Sequence, residues 1–210
     1  MIIKQIQEKG ILPKLIEKAI EILLRKECKK IENIEISIAA NTLQIIKGII
    51  RKINIKAEDI NYKDILLDKV ELEANDINIA FKINKKELNL KNNFIIKLKI
   101  SLSETSLKTV LLSKSWKWIG YKISKGILNQ NSLEDIKIKA NKLFIKTSKV
   151  GKTFKEGEKI DIKAYKGKLY LENKSCNKSI EIPIEDKIFI NDVTIENNLI
   201  HIIANSPVSF

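Results

Sequence analysis

The chain has one histidine, His201, in the segment LIHIIA. Imidazole is the usual proton carrier near neutral pH and a common metal ligand, so any reaction centre would be sought there first. The segment alternates like a strand and contains no second histidine. A metal cluster or a Ser-His-Asp arrangement therefore has no recognisable second member. The acidic residues are scattered, and the densest pair, Glu185-Asp186, reads as a solvated turn. Asp59 and Asp76 fall at matched places in two similar stretches, where turn or bulge chemistry accounts for them. Gly151-Lys152-Thr153 lacks the leading glycine of a phosphate loop. Cys28 and Cys176 have no partner motif and read as reduced thiols. These residue types suggest no catalytic residue, no metal ligand set and no cofactor site, so a non-enzymatic role is expected.

A second group of residues carries a surface signature. From Trp116 onward the apolar positions Trp116, Ile119, Ile123 and Ile127 recur at helical spacing. The opposite side carries Lys117, Trp118, Tyr121, Lys122 and Lys125, and Lys114 adds to it. Trp and Tyr beside lysines suit an interfacial anchor, with rings at headgroup depth and cations at the phosphates. The alternative is that Trp118 and Tyr121 pack against another strand.

The charge balance is open to three readings. Formal net charge is +13 over 210 residues, yet Arg25 and Arg51 are the only arginines. Base readout and planar phosphate recognition lean on arginine, so nucleic acid is not the expected partner. Abundant Ile, Lys and Asn follow from A/T-rich codons, which is the first explanation of the excess; attraction to an anionic membrane is the second. The N-terminal segment MIIKQIQEKGILPKLIEK breaks its apolar residues with charges and lacks a signal-peptide h-region. No run approaches the roughly 20 apolar residues that span a bilayer. The expected setting is cytoplasmic, peripheral on the inner face of a membrane. Nothing in the sequence specifies an oligomeric state.

The elements that must position these residues are legible in outline. Pro13 suits the first turn of a helix. Leu15, Ile16, Ala19, Ile20, Leu23 and Leu24 then form an apolar stripe, giving an amphipathic helix at about 12–30. Residues 52–62 (KINIKAEDINY) and 69–79 (KVELEANDINI) align without gaps. Each alternates through an alanine and then slips in phase by one. Similar slips occur in IKIKANKLFI and IDIKAYKGKLYL. A slip in a period-2 pattern suggests a β-bulge, and several bulges at one level would bend a sheet strongly. In mid-chain, SLSETSLKTVLLSKSWKW changes to helical spacing, with Ser103 as N-cap, Glu104 in the first turn and Ser115 as a second cap candidate. Gly151, Gly157 and Gly167 mark turns, and Pro183 belongs on an edge or at a strand end. No Ser/Pro/Gly-rich linker divides the chain. One domain over 1–210 is expected, with β halves at about 34–102 and 135–206 and helices at about 104–128.

The order of LQIIKGIIRKINIKAEDINY, a second long strand, SLSETSLKTVLLSKSW entering helix, and further strands resembles the LmeA-like phospholipid-binding family of bacteria. That family is remotely similar to the tubular, BPI-like lipid-binding proteins. The likeness runs from about Ile34 to Ser206, and the entry Ser101 to Glu104 with Leu107 is its most specific piece. The resemblance implies an α+β fold: a long, strongly curved antiparallel β-sheet wrapped on an N-terminal amphipathic helix, with two short helices mid-chain. It also implies phospholipid binding, with acyl chains in an apolar concave groove, and supplies no catalytic residues. Envelope members carry an export signal or anchor, which is not evident here. The expected lipid-binding residues are Leu15, Ile16, Ile20, Leu23, Trp116 and Ile119. The expected membrane-docking residues are Lys114, Lys117, Trp118, Tyr121, Lys122 and Lys125. The competing expectation is a structural or interaction scaffold with a fully packed core and no ligand.

Overall fold

Long isoleucine-rich segments with one apolar face must pair as antiparallel strands and cover that face. A computed structural model shows how they do so, and describes residues 10–82, 87–147 and 157–209. The elements in order are α1 (Ile11–Glu27), β1 (Lys30–Ala39), α2 (Thr42–Ile46), β2 (Ile49–Tyr62), β3 (Ile65–Lys82), β4 (Glu87–Leu90), β5 (Phe94–Ser103), α3 (Glu104–Leu112) and α4 (Lys117–Leu128). Then come β6 (Leu133–Lys139), β7 (Lys142–Thr147), β8 (Glu158–Tyr165), β9 (Lys168–Asn173), β10 (Lys178–Ile182), β11 (Phe189–Glu196) and β12 (Leu199–Val208).

The α+β expectation holds, with mostly antiparallel sheet and helices beside it. The single, strongly curved sheet does not. The strands form two open sheets, neither closed nor strongly curled. The larger has the order β1-β2-β3-β5-β12-β11, with β4 on β3; the smaller has the order β10-β9-β8-β7-β6. The two β halves of the sequence are not two separate sheets either. β12 pairs along its whole length with β5, so the last strands of the chain complete the first sheet.

The phase slips explain part of this difference. At Asp59 and Asp76 the backbone enters the left-handed region, with φ of 52° and 53°. One such residue turns the following side chains to the other face. Yet β2 and β3 keep one register on both sides of each site, from Ile49↔Asn78 to Tyr62↔Ile65. No residue is inserted, so these are not bulges that bend the sheet. The other two slips are hairpin turns: Ala140-Asn141 between β6 and β7, and Lys166-Gly167 between β8 and β9, all at positive φ. A two-residue hairpin pairs residues of opposite parity, such as Ile138 with Leu143, and leaves the same mark in sequence. The two aligned stretches are in fact antiparallel partners: Ala57 faces Val70 and Ala74 faces Ile53.

Two apolar clusters result. One gathers Ile136, Ile145 and Ile160 of the smaller sheet, Ile200 and Ala204 of β12, and Ile123 and Ile127 of α4. The other lies under α1 and gathers Ile38, Ile50, Ala74, Ile77 and Ile79, with Ile16 and Ile20 against them. At the end of β5 away from the α1 cluster, Ser103 caps α3 as expected, its hydroxyl accepting from the Ser106 amide at 3.2 Å. Asp68 fixes that cap, accepting from the Ser103 amide at 2.6 Å and its hydroxyl at 2.8 Å.

Ser115 is not the second cap. α4 begins at Lys117; Ser113 accepts from the Trp116 amide instead, and Ser115 bonds Asp64 at 2.9 Å. Gly157 and Gly167 take positive φ as turns require, and Pro183 directly follows the edge strand β10. Gly151, the segment Gly151-Lys152-Thr153 and residues 1–9 lie outside the described residues.

Candidate functional site

The candidate site is set by a mismatch of cover. α1 is a 17-residue amphipathic helix, about 25 Å long, laid over one face of much longer strands. Pro13 is its fully buried residue, and Ile16 and Ile20 reach the cluster below. The helix is fixed at both ends and in the middle. Gly10 lies so close to α2 that an added Cβ would sit 2.2 Å from the Thr42 hydroxyl oxygen. Glu17 Oε1 accepts the Ile38 amide of edge strand β1 at 2.8 Å. Arg25, held by Glu21 at 2.9 Å, donates to the Ile31 carbonyl at 2.8 Å.

A helix supported in this way leaves a gap beside it. The gap is an open groove of about 550 Å³. Its roof is Leu12, Leu15, Ile16, Ala19, Ile20 and Leu23 of α1. Its floor is aliphatic residues of β2, β3 and β5, with Leu90 and Phe94 at the side. Every lining residue is apolar. The volume lies within the roughly 300–1,000 Å³ range of small-ligand sites, and no hydrogen-bonding side chain lines it to fix a polar ligand.

Four of the six residues expected to line a lipid site, Leu15, Ile16, Ile20 and Leu23, therefore lie together on this groove. Trp116 and Ile119 do not join them. Ile119 is buried in the other cluster, where it borders an apolar void of about 130 Å³. Trp116 packs on that cluster and donates its indole N–H to the Lys63 carbonyl at 3.1 Å. The periodicity showed that both belong to an apolar stripe, but not which of two cores the stripe faces.

The expected docking residues do share a surface. Ile119, Ile123 and Ile127 turn inward, while Lys114, Lys117, Lys122 and Lys125 are exposed. Trp118 is 52% and Tyr121 51% exposed, so neither is packed under a strand. The Trp116 and Trp118 rings lie 6.3 Å apart, tilted by 31°. None of the four lysines forms an ion pair among the described residues.

The opposite face of the larger sheet also carries a hollow of about 550 Å³, lined by Glu35, Lys56, Glu71, Glu73, Lys97 and Lys99 among others. Its charges serve each other. Lys69 pairs with Glu71 at 2.8 Å, and Lys52 and Lys97 pair with Glu73 at 2.6 and 3.7 Å. Hydrogen bonds from Lys52 and then Asn75 hold the Glu73 carboxyl down to about 2. This is the solvated face of a half-buried sheet.

His201 has a neighbour the sequence did not reveal. Its Nδ1 lies 3.0 Å from the Ser101 hydroxyl, directly across the β12–β5 ladder. No carboxylate bonds the other ring nitrogen among the described residues, and no group of three metal-ligating side chains occurs among them. The thiol of Cys28, at the end of α1, is pushed up by burial and then by Glu27. No helix among the described residues is long and apolar enough to cross a membrane.

No curated protein and no solved structure matches the chain. The profile of the LmeA-like phospholipid-binding family matches residues 8–174. The match thus begins before α1, earlier than the motifs suggested, and ends at Lys174, short of the Ser206 they suggested; it takes in every groove-lining residue. An apolar groove under the first helix and a profile match over most of the sequence lead to one assignment: the chain belongs to the LmeA-like phospholipid-binding family.

Proposed function

We propose that the protein is a non-enzymatic phospholipid-binding or lipid-transfer protein that works at a membrane surface, with acyl chains along the groove between α1 and the larger sheet. The observation that carries this reading is the lining of that groove: about 550 Å³ of open space with only apolar side chains around it. A monomeric soluble protein rarely exposes a contiguous apolar surface of that kind without a ligand or partner for it. Leu15, Ile16, Ile20 and Leu23 hold the chains from the helix side. A scaffold with a filled core fits less well, because side chains do not fill this space.

The α4 surface supplies one docking patch. Lysine attraction to an anionic surface is worth about 1 kcal/mol each. The four lysines therefore supply on the order of 4 kcal/mol, which corresponds to about millimolar affinity. Charge alone does not hold the protein; Trp118 and Tyr121 must add ring insertion. One body, over residues 1–210, would then act as a single lipid-binding unit at the inner face of a membrane.

The test is uptake and pelleting. Delipidated protein should take up phospholipid from detergent micelles and pellet with anionic vesicles. Failure of both ends this reading.

A further inference from the structure

The end of the groove away from α4 carries a second exposed apolar surface. α2 is a single short turn of helix, which the alternating pattern around it concealed. It is set by a capping box: Asn41 Oδ1 accepts the Gln44 amide at 2.8 Å and Gln44 Oε1 accepts the Asn41 amide at 2.9 Å. Gly48 ends it at φ 76°, packed so closely on β3 that a Cβ would sit 2.0 Å from the Ile79 carbonyl oxygen. The turn is therefore rigidly placed, and its side chains point where the caps send them. Ile45 faces inward onto the groove cluster. Leu43 and Ile46, three apart and so on one helical face, are 68% and 69% exposed. Ile49 is exposed beside them, as is Ile11 at the start of α1, which Gly10 brings against Thr42.

Charge gives this apolar tip a partner. Lys47 follows Ile46, and Lys14 lies one turn along α1 from Ile11; both are exposed and neither forms an ion pair among the described residues. From Asn41 to Lys47 there is no acidic residue. Large aliphatic side chains flanked by two lysines match the boundary of an anionic bilayer, where apolar groups bury below the headgroups and cations stay at them. The place matters too. Ile50, Ile77 and Ile79, at this end of the strands, floor the groove. α4 instead meets the β2–β3 hairpin, through Trp116 on Lys63 and Ser115 on Asp64. β2 runs between the two surfaces for 14 residues, roughly 45 Å.

We propose that the tip formed by Ile11, Leu43, Ile46 and Ile49 inserts into an anionic membrane and brings this end of the groove to the lipid, as a contact separate from the α4 patch. The insertion itself stands without lipid binding; its role in loading the groove rests on that reading. The experiment compares wild-type protein with L43D/I46D, whose changes fall on exposed side chains and leave Ile45 and both caps in place. Partition onto vesicles of phosphatidylglycerol and phosphatidylcholine is measured by co-sedimentation, uptake of phospholipid from detergent micelles by native mass spectrometry, and oligomeric state by sedimentation velocity. The expected result is at least a tenfold loss of partition in L43D/I46D, with micellar uptake unchanged. Wild-type protein that binds vesicles through the tip but takes up no lipid would end the lipid-binding reading and keep the insertion. Equal partition of the two proteins overturns the insertion. A wild-type dimer that L43D/I46D dissociates, without vesicle binding by either, overturns it in favour of self-association.

Discussion

Glu17 on α1 accepts the backbone N–H of Ile38 on β1 at 2.8 Å. β1 is an edge strand, so this amide points away from its own sheet and would otherwise lack a protein partner. A single carboxylate thus satisfies a sheet edge and fixes the height of the helix over the groove. Glu17→Ala should cost about 1–3 kcal/mol in denaturant unfolding, the usual penalty for a part-buried donor left unmade. Glu17→Gln, which keeps an acceptor oxygen, should cost less. Amide exchange at Ile38 should speed up in the alanine variant alone.

Asp76 sits in a conformation that a β-branched residue resists. Asp76→Val should destabilise the protein by about 1–2 kcal/mol relative to Asp76→Gly, since the left-handed region costs an L-residue about that much. Thermal or urea unfolding of the two variants checks it. Equal stabilities would mean that the left-handed kink is not kept in solution.

Both kinks lay in plain view in the sequence as phase slips, and their positions were right. What they do was not legible. A left-handed residue with unchanged register, a bulge and a two-residue hairpin all move the apolar positions by one. The choice among them depends on which strand pairs with which. Ala140-Asn141 and Lys166-Gly167 lie between partners, whereas Asp59 and Asp76 lie within strands. Bulges at all four would curve the sheet strongly, and the fold lacks that curvature because none of the four is a bulge.

The candidate site was half legible for a related reason. Helical periodicity matches the inward face of α4, where Ile119, Ile123 and Ile127 are buried, but only part of α1: Ile16 and Ile20 reach the cluster, Leu15 and Leu23 are 59% and 61% exposed, and Glu17, on the polar side of the stripe, turns to β1. Periodicity carries no information on which core each stripe meets, so Trp116 and Ile119 were grouped with residues of the other cluster. α2 is invisible to periodicity because five residues, set among alternating segments, give too few turns for a period. Its capping box, Asn41 with Gln44, was the available signal.

The solvated face makes a prediction about pH. Glu73 is held down to about 2 by Lys52 first and Asn75 next. A carboxyl lowered on folding favours the folded state above its ordinary value of 4.5, and that contribution is lost as pH falls toward 2. Carboxyl-carbon NMR should give Glu73 a midpoint near 2, and Lys52→Met should raise it. A midpoint at the ordinary carboxylate value in wild-type protein would show that the Lys52 pair does not persist in solution.

The α4 patch predicts a salt-dependent contact. Trp118→Ala with Tyr121→Ala should weaken binding to anionic vesicles while the protein stays folded, at a cost in stability of about 1–3 kcal/mol from the buried half of the two rings, which urea unfolding of the same variant measures. Raising ionic strength should weaken wild-type binding further, through the four lysines. Co-sedimentation measures both effects. Unchanged binding would remove α4 from the membrane contact.

Lipid in the groove under α1 is the central claim, and native mass spectrometry of protein purified from its own cells without delipidation tests it most directly. Ala19 is an exposed groove-lining residue of α1, so Ala19→Trp should fill the space and leave the fold intact. The account predicts a bound species heavier than the 24.1 kDa chain by one phospholipid, depleted at least tenfold in Ala19→Trp. Wild-type protein found only at the mass of the bare chain, or lipid retained equally by Ala19→Trp, would contradict it.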